Sequence, residues 1–509
     1  MFSSILSAAI LGIDVYPVQV EADICDGLPQ FCMVGDLSPE VREAADRVRT
    51  AFRNTGFYFP PKRVTVNLSP AHIRKEGTRY DLPVAAALLS AMGVLPAKQV
   101  ENVLMAGEVG LSGTVRPVNG ILQTVMLAKE SGCKMCLVPR ENVKEGAFVP
   151  DIPVIGIGNI KELRECLVCP EKAGHSSAAK QTESFEQPVY EEDFQEINGQ
   201  EGVRRAAEIA AAGMHNFLMI GPPGAGKTMI AKRIPTILPG LTREESLEIL
   251  RVYSACGLLE GKGEAVVRPF RAPHHTISAG ALAGGGRRIL PGEISLATQG
   301  ILFLDELPEF QRNVLEVLRQ PLEDGQVVIS RVSGKYVFPA HFQLVAAMNP
   351  CRCGYYPDRE RCSCLPGEVS RYIHRISWPL MERIDICAEV SKVAYKDLAR
   401  AGTSESSAQI RERVERARKL QKKRYEDCAW QLNANLPSWA VHTFCPLGNE
   451  EEQILKTAFE KMDLSARAYH RIIKVARTIA DLENEPDIRT PHLLEAIGYR
   501  CVDQKYWER

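Results

Sequence analysis

NFLMIGPPGAGKTMIAKRIP, residues 216–235, places an apolar strand, a glycine-rich turn and a helix in direct succession. Within it Gly221, Pro222, Pro223, Gly224, Ala225, Gly226, Lys227 and Thr228 fill the phosphate-loop pattern in full. Glycines let the backbone turn tightly enough to aim amide N–H groups at phosphate oxygens, and the following helix adds the positive end of its dipole. Lys227 is expected to reach the β- and γ-phosphates and Thr228 to ligate magnesium. The reading predicts an α/β core with ATP and Mg2+ as cofactors.

Downstream, GILFLDELPEF at 300–310 gives a short buried strand, with Asp305 and Glu306 at its carboxyl end, where open α/β sheets place their ligands. Asp305 is expected to hold the magnesium directly or through water, and Glu306 to polarise the attacking water. A third apolar strand, FQLVAAMNP at 342–350, ends in Asn349. That side chain either orients water near the γ-phosphate or simply starts an Asn-Pro turn. Together the three strands predict ATP hydrolysis.

The flanks read differently. Residues 1–171 alternate short strands and helices in an α+β unit. Val18, Val20, Ala22 and Ile24 share one strand face, Ser38-Pro39 opens a helix running through VREAADRVRTAFRNTG to Gly56, and DLPVAAALLSAMG is a nearly all-apolar helix. The stretch 172–192 is polar and aperiodic, a linker. The core covers 193–395, and helical patterns dominate 396–509. With 62 Lys+Arg against 63 Asp+Glu and 45% hydrophobic residues, the chain is neither disordered nor a strongly basic coating protein. The N-terminus lacks the basic region of an export signal, and no stretch reaches the roughly 18 apolar residues of a membrane span. A cytoplasmic location with no membrane partner is expected.

The quoted motifs, with FRAPHHTISAGALAGGG at 270–286, AAMNPCRCGYY at 346–356 and RISWPLMERIDICAEV at 375–390, resemble the ComM/YifB group of Mg-chelatase-like AAA+ ATPases. The resemblance covers essentially the whole chain. It implies an N-terminal domain shaped like the Lon protease proteolytic domain, an AAA+ P-loop core and a C-terminal helical lid. It also implies a homo-hexameric ring that moves single-stranded or branched DNA, as in branch migration during recombination or natural transformation. By position, residues 221–228 resemble Walker A, Asp305 and Glu306 Walker B, and Asn349 sensor 1. Arg383 stands where related ATPases carry an arginine finger, and Arg467, in LSARAYHR, resembles a sensor 2 arginine. The first domain departs from a Lon peptidase: Arg79 lies near the serine position and Thr124 at the lysine position, so covalent catalysis has no basis. The alternatives are a Mg-chelatase-like or protein-remodelling motor that does not act on DNA.

Three further features ask for an explanation. Cys351, Cys353, Cys362 and Cys364 form CRC and CSC pairs that could enclose a structural Zn2+, although CxxC is the usual spacing; the pairs Cys133/Cys136 and Cys166/Cys169 are read as structural. His274 and His275 are read as inter-strand or nucleotide-sensing polar residues. RERVERARKLQKKR at 411–424 carries eight basic and two acidic side chains, either a DNA-tracking helix or a solvated one. Arg287 and Arg288, after a glycine run, and Arg331 and Lys335, around a hairpin turn at Ser333-Gly334, fall where related ATPases place pore-facing insertions.

Overall fold

The computed structural model describes residues 1–168, 176–177, 190–259, 266–286, 288–331, 334–392 and 404–507. Most of the 172–192 linker, the 395/396 boundary, Cys169, Arg287 and Ser333 lie outside the described residues.

The N-terminal part is an eight-stranded sheet. Its order is Ser176–Ser177, Val154–Ile157, Met135–Pro139, Val103–Met105, Phe2–Leu11, Asp14–Cys25, Arg63–Ser69 and Gln30–Val34. The first two strands in sequence form an antiparallel hairpin, with Leu11 opposite Asp14. The alternation read from Val18 to Ile24 holds: Val18, Val20, Ala22 and Ile24 are buried. The Asp81–Ala91 helix is buried on every side, which its nearly all-apolar sequence requires. The helix expected from Pro39 onward is two pieces, Pro39–Arg42 and Ala44–Thr55. Ser38 makes no side-chain cap, whereas Gly56 ends the second piece in the left-handed region as expected.

A second, all-parallel sheet runs Phe270–Arg271, Ile301–Leu304, Gln343–Met348, Phe217–Ile220 and Ile386–Glu389. Parallel strands covered on both faces must be apolar throughout. Phe217, Met219, Phe303, Val345 and Ala347 face one core, shared with Ile410, Val414, Ile472, Val475 and Ile479 of the C-terminal helices. Leu218, Ile220, Leu302, Leu304 and Ala346 face the other, closed by Leu282, Leu315, Phe338 and Trp507. The C-terminal helices Ser407–Arg424, Ala466–Leu482 and Thr490–Trp507 therefore complete the core around this second sheet. Trp507, near the chain end, is a core residue.

The two sheets meet through the Ile121–Glu130 and Arg243–Ala255 helices. Ser254 Oγ lies 2.6 Å from both Gln123 Oε1 and Glu145 Oε1, Gly120 N donates to Ser254 O at 3.0 Å, and Gln123 Nε2 donates to Arg251 O at 2.7 Å. Burial pushes the Glu145 carboxyl up, against the hydrogen bonds from Ser254, Leu122 and Asn142. Thr124 and Arg79 border this seam, with Arg79 Nη1 donating to Thr124 Oγ1 at 3.4 Å and Nη2 to Asn119 O.

Candidate nucleotide site

Phe217–Ile220 is a central strand, so the loop that follows it leaves the sheet at its carboxyl end. A Cβ on Gly221 would stand 2.2 Å from Val390 O, and only glycine lets the loop pass the neighbouring strand so closely. Gly226 sits at φ 87° and opens the Lys227–Ile237 helix.

Lys227 Nζ donates to Gly221 O at 2.7 Å, Pro222 O at 2.9 Å and Asn349 Oδ1 at 3.0 Å. Burial lowers its pKa, partly offset by Asp305 and Glu306. Thr228 Oγ1 donates to Asp305 Oδ2 at 2.8 Å. The two residues expected to share a magnesium ion are thus already in contact. Asp305 Oδ1 accepts from Glu306 N at 2.9 Å, and Glu306 itself takes left-handed φ 52° and ψ 47°. Asn349, one residue past its strand, touches Lys227 rather than only turning the chain.

A cavity of about 470 Å³ opens beside these groups, lined by Glu306, Glu309, Asn349, Arg352 and Tyr372. Arg352 was not picked out from the sequence. Its position between Cys351 and Cys353, three residues after Asn349, was the available signal.

The two other arginines lie elsewhere. Arg383 is buried, donating from Nε to Arg319 O at 3.1 Å, from Nη1 to Pro379 O and from Nη2 to Glu323 Oε1 at 2.5 Å. Arg467 is half exposed and pairs with the same Glu323 oxygen at 3.3 Å and with Glu382 at 3.5 Å. The fold brings Arg383 and Arg467 together, but it places neither on this chain's own Lys227.

The four cysteines converge. Their sulfurs all lie within 4.8 Å of one another, the one such cluster of potential metal ligands among the described residues. Tetrahedral zinc with Zn–S of about 2.3 Å requires S···S near ~3.8 Å. Cys351–Cys362 is 3.8 Å, Cys353–Cys362 3.6 Å and Cys351–Cys353 3.3 Å, so the donor set fits. Tyr356 N points at Cys351 Sγ from 3.4 Å. The cluster also abuts the phosphate loop: a Cβ on Gly354 would meet Pro223 Cδ at 2.3 Å.

The basic 411–424 stretch is only partly available to a polyanion. Arg411 donates to Thr236 O, Arg413 to Glu208 and Glu405, Arg418 to Ala211 O and Arg424 to Asp481. Arg416, Lys419, Lys422 and Lys423 remain exposed. Half of the charge read as a DNA track therefore secures the helix to the core. The two hairpins do form. Gly284–Gly285 pairs with Leu290–Pro291, and Gln326–Arg331 with Gly334–Pro339. Arg288 is exposed at the tip of the first, and an Arg331 nitrogen lies 3.7 Å from where a Gly285 Cβ would be.

Family comparisons agree with the geometry. The family model described as magnesium chelatase, subunit ChlI, matches residues 193–398; its ChlI-subunit companion matches 20–142 and its C-terminal companion 404–500. The competence protein ComM of Haemophilus influenzae is 41% identical over 500 residues, covering 98% of this chain and 97% of that protein. YifB of Escherichia coli is 41% identical over 505 residues, covering 99% and 97%. A Lon protease of Trichlorobacter lovleyi is 26% identical over 162 residues, 30% of this chain and 19% of that protein. No helix among the described residues is long and apolar enough to cross a membrane. With its phosphate loop and carboxylates in place and near-full-length relatives at 41% identity, the chain belongs to the ComM/YifB family of Mg-chelatase-like AAA+ ATPases.

Proposed function

We propose that this protein is a homo-hexameric ring ATPase that couples ATP hydrolysis to DNA translocation or branch migration in recombination or transformation. The observation that carries the reading is the shared geometry of Lys227, Thr228, Asp305 and Asn349, on a sheet that also bears two adjacent hairpins with Arg288 and Arg331. The phosphate-loop amides and Lys227 would hold the β- and γ-phosphates, and Thr228 and Asp305 the Mg2+, which supplies charge neutralisation when bound. Glu306 would take the proton of the attacking water and Asn349 orient that water. Arg352 stands at the same cavity in cis. Arg383 would serve the neighbouring subunit as an arginine finger after leaving Glu323, Arg319 O and Pro379 O, and Arg467, which pairs with the same Glu323, would act as the sensor 2 arginine of the lid.

Residues 1–171 are assigned to an inactive Lon-like domain, 172–192 to a linker, 193–395 to the AAA+ core and 396–509 to the helical lid. Arg79 against Thr124, where a peptidase needs serine and lysine, supports the inactive assignment. The protein is assigned to the cytoplasm. ATPase rates measured in parallel with branched DNA, single strands and duplex test the reading. Stimulation by branched or single-stranded DNA is expected; a flat response to all three in assembled rings removes it in favour of a chelatase-like or protein-remodelling motor.

Zn2+ is assigned to Cys351, Cys353, Cys362 and Cys364, where it would brace the loop against Pro223. Protein purified without added metal is expected to carry one zinc per chain, and Cys362→Ser to lose it with a lowered Tm. Metal-free protein of unchanged Tm would exclude the site.

A further inference from the structure

The cavity beside the phosphate loop is lined by two carboxylates, Glu306 and Glu309, and by a single cation, Arg352, with Asn349 and Tyr372 completing its wall. A triphosphate brings further negative charge into this space, so the disposition of the nearby cations matters. Most of them are already engaged. Arg375 Nη1 donates to Glu309 Oε2 at 2.9 Å and to Pro308 O at 3.2 Å. Lys227 Nζ is directed at Gly221 O, Pro222 O and Asn349 Oδ1, and Arg383 and Arg467 are both tied to Glu323. Arg352 differs from all of these. It is exposed, and among the described residues no group accepts a hydrogen bond from its guanidinium.

The backbone of Arg352 is firmly placed. The Gln343–Met348 strand lies between the Ile301–Leu304 strand, which leads to Glu306, and the Phe217–Ile220 strand, which leads to the phosphate loop. The chain leaving that middle strand passes Asn349 and folds back at once. Gly354 N donates to Cys351 O at 3.0 Å, closing a four-residue turn with Arg352 at its second position. Neighbours fix this turn on several sides. Cys351 is fully buried and its sulfur accepts from Tyr356 N at 3.4 Å, while Cys353 Sγ lies 3.3 Å from it. Gly354 comes so near the phosphate loop that a Cβ there would stand 2.3 Å from Pro223 Cδ. The two cysteine sulfurs thus go to the cluster, and the arginine between them borders the cavity. A long side chain rooted in a held turn loses less freedom on gripping a ligand than one on a loose loop.

We propose that Arg352 is a catalytic residue acting in cis: its guanidinium donates to γ-phosphate oxygens and stabilises the charge that gathers there during hydrolysis. Arginine suits the task, because its planar fork matches two phosphate oxygens at once and stays protonated. In the step itself the water oxygen bonds to the γ-phosphorus and the bond to the β–γ bridging oxygen breaks. One water proton goes to Glu306, leaving ADP and inorganic phosphate, and Arg352 gives up no proton. The proposal rests on the Lys227–Asp305 site being where ATP is hydrolysed, and it is independent of what the motor moves. Its role is distinct from that of Arg383, since Arg352 serves the nucleotide held by its own phosphate loop.

The test uses the full chain as wild type, Arg352→Ala, Arg352→Lys and Glu306→Gln. Steady-state ATP hydrolysis is measured beside the affinities for a slowly hydrolysed ATP analogue and for ADP with aluminium fluoride, a mimic of the phosphoryl group in transfer. Arg352→Ala is expected to lower kcat about 10²-fold and to weaken ADP–aluminium fluoride binding by a similar factor, with analogue affinity within about threefold of wild type. Arg352→Lys, which keeps the charge but not the fork, should recover only part of kcat. Zinc content and Tm equal to wild type show that the turn is intact. Should Arg352→Ala melt earlier, Arg352→Lys decides, and a wild-type kcat in that variant overturns the proposal. A kcat for a normally stable Arg352→Ala within about twofold of wild type, with Glu306→Gln inactive, overturns it and leaves the site assignment standing. Equal losses of analogue and aluminium fluoride binding make Arg352 a ground-state contact and overturn it as well. Wild-type turnover by Glu306→Gln removes the site assignment, and the proposal falls with it.

Discussion

Replacing Glu306 with Gln lowers kcat for ATP hydrolysis by about 10²–10⁴-fold, the usual contribution of a positioned base, while ATP still binds. Glutamine keeps the size and the polar carbonyl of the side chain but cannot accept the proton that the attacking water must lose. None of the anchors of the phosphate loop runs through this side chain: Lys227 is held by Gly221 O, Pro222 O and Asn349, and Thr228 by Asp305. The variant should therefore separate binding from turnover. Lys227→Ala should instead lose binding itself, because it removes the buried ammonium proposed to hold the phosphates. Equilibrium binding of a fluorescent ATP analogue and steady-state release of phosphate, run on the same samples, check both. Turnover of Glu306→Gln within about threefold of wild type would show that another group takes the proton.

The phosphate site was legible because every part of it is local. Strand, loop and helix are consecutive in residues 216–235, and the apolar runs before Asp305 and Asn349 identify two more buried strands without any knowledge of their pairing. Side chains whose meaning depends on distant partners were not legible. The basic count at 411–424 says nothing of Glu208, some two hundred positions away, which takes Arg413, or of the carbonyls of Thr236 and Ala211, which take Arg411 and Arg418. Arg383 and Arg467 are separated by 84 positions, yet they compete for one Glu323 oxygen, a relation no spacing rule reveals. His275 was visible as a polar pair in a loop, but its neighbour Glu306 depends on the sheet order. Arg352 was hidden by the cysteines around it, which drew attention to metal binding. The helix from Pro39 was placed correctly while its interruption at Glu43 was not, since backbone slackening there has no glycine or proline to announce it.

Replacing Asp385 with Ala destabilises the folded chain by about 3–5 kcal/mol, the cost of leaving a buried charge without its partner. Asp385 sits at the amino end of the Ile386–Glu389 strand, behind the nucleotide site. Its Oδ2 accepts from Asn216 N at 2.8 Å, its Oδ1 from Arg471 of the Ala466–Leu482 helix, and His215 Nδ1 lies 3.8 Å away. One carboxylate therefore joins the root of the phosphate-loop strand to the C-terminal helices. Burial alone would raise its pKa, but Arg471, His215 and the Asn216 amide together hold it well below the usual carboxylate range. Because the folded-state value is depressed, the stabilisation is complete above the ordinary carboxylate pKa of about 4 and is lost as the pH falls through and below it. The gap in urea midpoint between wild type and Asp385→Ala should hence be constant from neutral pH down to the upper edge of that range and narrow beneath it. Asp385→Asn keeps an acceptor for the Asn216 amide and should lose less than Ala, though it still strands Arg471. A gap that does not change with acidification would mean that the carboxylate serves as a neutral hydrogen-bond acceptor, and that the C-terminal helices are fastened to the core by packing rather than by this charge.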